Sequence, residues 1–218
     1  MKQLKERFDT LSDAIIAIVM TVLVLEIAVP ATTRELPHLL EQIFLFLVSF
    51  VIITNFWYRR FQAMRATEKV TFRSFTMDVI AHAILALYPL ATKILIEFPV
   101  KWMAIAFFAA INLLTAFLLN CMTYELANQA VKPLAHQDSD RIHLLYHWMR
   151  RRIVIGLLAS IVLMCLSLYF NSVLIYILSP FLEFISHVRR GRAMEEAFRE
   201  GQSFKDIVAY RDRKSHIK

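Results

Sequence analysis

Six stretches of this chain are apolar over runs long enough to leave few architectures open. They lie at about 12–30, 36–58, 75–97, 99–125, 150–170 and 172–188. A helix rising 1.5 Å per residue needs about 20 mostly apolar residues to cross a bilayer. Each stretch reaches or approaches that length, the first and last being the shortest. Lipid offers no partner to an open backbone, so spanning segments of this kind fold as helices. Composition agrees: 58% of residues are hydrophobic, against roughly 45–50% in soluble domains. The expected fold is therefore all-α, a polytopic membrane protein with six transmembrane helices over 1–188 and a basic cytosolic tail over 189–218. The opening run lacks an A-x-A cleavage pattern and is followed at once by another span, so it reads as a retained helix.

The basic residues set the orientation. Lys2, Lys5 and Arg7 precede span one. Arg59, Arg60, Arg65, Lys69 and Arg73 follow span two, and Lys132, Arg141, Arg150, Arg151 and Arg152 join spans four and five. Nine more lie in the tail from Arg189 to Lys218, whereas the opposite side holds only Arg34, Lys93 and Lys101 of the 25. Six spans with both termini in the cytosol satisfy this split. The net charge of +7 is thus a membrane-surface feature, drawn to anionic headgroups at about 1 kcal/mol per residue. No basic–aromatic motif for nucleic acid accompanies it.

Other classes lack their residues. Glycine is scarce, at 3 of 218, which argues against phosphate-cradling loops. Cys121 and Cys165 both sit in apolar runs and read as packing residues. The 7 histidines are scattered, and no nucleophile or paired-carboxylate cluster marks an enzyme. A secondary transporter would pair broken helices between two halves; Pro89 interrupts span three without a counterpart. A secondary transporter, or a proton leak pathway through Asp13, Glu26 or His82, stays open as the alternative.

Span one carries the chemistry of interest. In "RFDTLSDAIIAIVMTVLVLEIAVP", residues 7–30, Ile18, Thr21, Val22 and Leu25 follow i, i+3, i+4, i+7 and share one uncharged helical face. Glu26 lies about 100° around from Leu25, near the outer interface. Ser12 or Asp13 can cap the cytosolic start of the helix. A mid-helix carboxylate costs about 2.5–3.5 kcal/mol to insert, so such groups seek protein or water. Arg7 and Asp13 are six apart and poorly placed to pair within one helix. Partners on other helices or subunits are more natural. By itself, an Ile/Val/Leu face is more often helix packing than a pore lining.

These residues resemble the first-helix motif of the transmembrane protein 175 family of potassium channels, R-x-x-x-F-S-D followed by an A-I-x-x-T-L-L-V-L-E type run. Arg7, Ser12 and Asp13 match it; Leu11 stands where the family has Phe. Downstream, "FWYRRF" resembles the family's F-W-x-x-H-H region, and "LALYPLATKIL" its F-x-P-F-x-T-x-L-L segment.

The resemblance implies a prokaryotic single-repeat member that assembles as a homotetramer, each first helix lining a central pore. It puts a hydrophobic constriction at Ile18, a hydroxyl layer at Thr21, and further apolar layers at Val22 and Leu25. Arg7, Ser12 and Asp13 become a polar network supporting the pore helices near the cytosolic mouth. A multi-pass cell-membrane location follows, with lipid as surroundings, no nucleic-acid partner, and no cofactor beyond the permeant potassium ion. Arg59 and Arg60 replace the family's usual His, so that part of the network does not carry over. His82 is a substitute partner or, more simply, a buried structural histidine. The chain has no T-V-G-Y-G filter, so moderate, leak-type selectivity is expected.

Overall fold

The computed structural model describes residues 2–65, 71–131 and 139–199, and they are helical almost throughout, with no strand among them. The helices are α1 (Lys2–Leu25), α2 (Leu36–Arg65), α3 (Phe72–Leu85), α4 (Tyr88–Glu97), α5 (Lys101–Val131), α6 (Ser139–Tyr169) and α7 (Val173–Arg199). A short 3-10 turn, Thr33–Glu35, precedes α2. Four runs are long and apolar enough to cross a membrane: Lys5–Leu25, Thr33–Met64, Phe72–Glu97 and Lys101–Leu126. The apolar parts of α6 and α7, Ile153–Tyr169 and Val173–Ser186, are shorter. Span five is therefore shorter than expected, and span one is longer at its polar end, because Lys5 to Ser12 are wound into the same helix.

Local sequence explains the breaks. α1 ends at Leu25 because Val29 precedes Pro30, and a residue before proline is pushed away from helical geometry. The freed amide of Ala28 is taken by Gln42 Oε1 at 2.8 Å. Span three is two helices, α3 and α4, because Pro89 supplies no N–H to the turn before it. Thr71 and Ser74 cap α3 reciprocally, Ser74 N donating to Thr71 Oγ1 at 3.4 Å and Thr71 N to Ser74 Oγ at 3.1 Å. α6 turns into α7 at Asn171, where φ is 49°, a left-handed conformation that asparagine tolerates. There the amide of Ser172 returns to the carbonyl of Ser167 at 3.0 Å.

α5, α6 and α7 extend past their apolar runs on the side opposite the short turns. α5 reaches Val131 and α6 begins at Ser139, so the connection between spans four and five, 126–149, is helix over 126–131 and 139–149; Lys132 to Asp138 lie outside the described residues. α7 continues to Arg199 and absorbs the start of the tail expected over 189–218. Beyond Arg199 the tail lies outside the described residues.

α5 is the middle of the bundle, packed on α2, α3, α4 and α6, while α7 lies on α2 and α6. Its core is aromatic: Tyr88, Phe108 and Tyr176 meet edge to face, at 5.8 Å and 6.5 Å between centroids. Asn112 ties the two tyrosines together, accepting from Tyr88 Oη and donating to Tyr176 Oη, both at 2.7 Å. Ser49 and Thr92 bond at 2.9 Å between α2 and α4. In hydrocarbon, apolar surface gains little by leaving lipid, so such bonds and close packing hold helices together.

Candidate functional site

α1 packs against α2, α3 and α4 with one side only. Phe8, Ser12, Ile16, Val19 and Leu23 recur at helical spacing and are buried. Of the four long apolar runs, that of α1 is the least buried, at 28% against 50% for α5. Its outward side carries Ile18, Thr21, Val22 and Leu25. Ile18 is 60% exposed and Leu25 79%, whereas Val19, one residue from Ile18, is 5% exposed. The face picked out by the helical wheel is thus the face α1 turns away from its own bundle.

Thr21 is the one polar group among these four. Its hydroxyl donates back to the carbonyl of Ile18 at 2.8 Å. The proton is thereby fixed on the backbone, which leaves the oxygen lone pairs as acceptors.

At the other end of α1 the family-motif residues part company. Ser12 is buried at 1% exposure. Asp13 is exposed and accepts from Trp57 Nε1 of α2 at 2.9 Å. Arg7 is exposed and joins no ion pair among the described residues. The single chain therefore places two of the three on contacts or burial within the bundle and turns Arg7 outward.

The polar network beside them is built from other residues. Arg60, 3% exposed, donates through Nε to both oxygens of Asp78, at 3.1 and 2.9 Å, and through Nη2 to Asp9 at 3.0 Å. Its guanidinium also lies 5.4 Å from the ring centroid of Phe8. His82 sits one turn on from Asp78 and is buried; its Nδ1–H donates to the Asp78 carbonyl at 2.7 Å. Arg59 faces the other way, pairing with Glu183 of α7 at 3.3 Å and bonding Asn120 of α5. "FWYRRF" is consequently a junction. Phe56 meets Tyr88 edge-on, Trp57 holds Asp13 and stacks on Phe61, and the two arginines reach α1, α3, α5 and α7.

Sequence reasoning picked out Arg59, Arg60 and His82 but missed Asp9, Asp78 and Glu183, which complete the pairs. For Asp78 and Glu183 the signal was available: a carboxylate inside an apolar span marks a paired or functional site by default.

At the far end of α1, Glu26 lies just past the last helical residue and accepts from Lys93 Nζ of α4 at 2.8 Å. Among the described residues no group of three or more His, Cys, Asp or Glu is placed to hold a metal ion.

The fold and this face define a polytopic helical membrane protein whose first helix stands at the edge of its own bundle. Residues 7–89 match the family described as Endosomal/lysosomal potassium channel TMEM175. The overall fold matches a crystal structure described as a lysosomal potassium-selective channel TMEM175 homolog from Chamaesiphon minutus. The TM-score is 0.64 at 21% identity, over 86% of this chain and 98% of that one. No curated protein matches the chain.

Proposed function

We propose that this protein is a potassium-permeable cation channel of the leak type, formed by four copies whose α1 helices line a common pore. The observation that carries the reading is the outward face of α1. Ile18, Thr21, Val22 and Leu25 lie in the region that matches a potassium-channel family and point away from the protomer's own core. Further support comes from the protein of the same fold described as a lysosomal potassium-selective channel TMEM175 homolog. Both termini lie in the cytosol in this reading, as the distribution of Lys and Arg requires, and the location is the cell membrane.

In such a pore a ring of Ile18 side chains forms an apolar neck that dewets when narrow and conducts when slightly widened. Thr21, one turn outward, offers a ring of oxygens whose protons are already fixed on the backbone. These acceptors contact a partly dehydrated cation. Potassium sheds water more readily than sodium, so passage through an oxygen-poor neck favours it, though moderately. Val22 and Leu25 extend the apolar wall. Arg7, Ser12 and Asp13 support the inner mouth without binding the ion.

The test is bilayer recording of the purified protein with potassium and sodium on opposite sides. Reversal should favour potassium, Ile18→Asn should raise unitary conductance, and Thr21→Ala should shift the reversal potential. Unchanged conductance and selectivity in both variants would reject the assigned face. Proton-driven flux without potassium current would favour the proton pathway.

A further inference from the structure

Glu26 is the first residue beyond the helical part of α1 and follows Leu25, which ends the outward face. Its side chain bonds Lys93 at 2.8 Å, with 34% of the glutamate side chain and 45% of the lysine side chain exposed. The choice of partner is informative. Glu97 lies one turn on from Lys93 in the same helix, yet Lys93 reaches across to α1. Exposed pairs contribute only about 0–1 kcal/mol, so stability alone is a weak reason for this contact. The other two basic residues of this end are placed differently. Lys101 donates to the carbonyls of Leu95 and Ile96, at 3.5 and 3.3 Å, at the end of α4, and Arg34 lies exposed in the turn before α2.

We propose that Lys93 is a conductance-setting residue that neutralises Glu26 at the outer mouth of the pore. The inference rests on the α1-lined channel proposed above. In that assembly each Leu25 faces the axis, and the adjoining Glu26 carboxylates form a ring around the exit. Unpaired, the ring would concentrate cations at the mouth, as like-signed clefts do. Paired one to one with Lys93, it is electrically muted. At the opposite end Asp13 meets an indole N–H instead of a cation, so its charge is retained.

The experiment is unitary current recording of the full-length protein at low and high potassium chloride. The screening length is about 30 Å at 10 mM salt and about 3 Å at 1 M. Lys93→Gln should raise current entering from the Glu26 end by about two- to threefold at the low concentration and leave it nearly unchanged at 1 M. Glu26→Gln, which leaves the lysines unpaired, should lower the same low-salt current. The exchange Glu26→Lys with Lys93→Glu should restore it towards the starting value. Equal low-salt currents in Lys93→Gln and the parent would overturn the proposal. So would a change that persists undiminished at 1 M. Ile18→Asn, recorded beside them, separates the two readings. If it alters conductance while Lys93→Gln does not, the outer-mouth inference fails and the pore stands; if neither acts, both fail.

Discussion

At the scale of single residues, Thr21 and Asp78 show opposite uses of a polar group in an apolar helix. Thr21 is exposed and spends its proton on the Ile18 carbonyl. Thr21→Ser preserves that acceptor and should keep potassium preference in reversal-potential measurements, whereas Thr21→Val, equal in shape, should reduce it. Asp78 is fully buried and bound through both oxygens to Arg60. Removing one partner of such a pair leaves a charge stranded, at about 3–5 kcal/mol. Asp78→Ala should therefore lower the melting temperature of the purified protein markedly. Arg60→Met with Asp78→Leu should recover most of the loss, because a packed apolar pair replaces a desolvated ionic one. Asp9 would still be solvent-accessible in that double variant. That Ile18, Thr21, Val22 and Leu25 share one face was legible in the sequence because it depends only on helical period; that this face turns outward was not, because it depends on which side α1 packs with. The partners of Arg60 were not, because pairing across 18 or 51 residues depends on how α1, α2 and α3 cross.

Elements bring the same distinction to a larger length. The positions of the helices followed from apolar run length, while their ends followed from capping, proline and how far a helix runs on past lipid. Outside the bilayer nothing in 126–131 or 189–199 obliges a helix to stop, since proline is absent from both, and α5 and α7 run on through them. Pro89 was visible as an interruption; that it creates a new helix start with Tyr88 buried against Asn112 was not. The α4–α5–α7 contact depends on that arrangement. Tyr88→Phe removes one interhelical bond and should cost about 0.6–1.7 kcal/mol, read as a small shift in thermal unfolding in detergent. Asn112→Leu should cost more, because two buried tyrosine hydroxyls lose their bridge, although Tyr176 retains the Ala109 carbonyl at 3.3 Å.

In the proposed channel the whole molecule works as one part of an assembly. A single bundle of this shape buries one side of α1 and leaves the other with no chemistry of its own. Four chains of 25.4 kDa around an axis give that side a role, and native mass spectrometry of the purified protein should find a tetramer; a monomer as the sole species would contradict the assembly. The most direct measurement is cysteine accessibility along α1 during current recording, in a background with Cys121 and Cys165 replaced by serine. A water-soluble, positively charged thiol reagent should reduce current through Ile18→Cys, Val22→Cys and Leu25→Cys and leave Ile16→Cys, Val19→Cys and Leu23→Cys unaffected. Block at the second set, or no block at either, would contradict the claim that the outward face of α1 lines the conduction path.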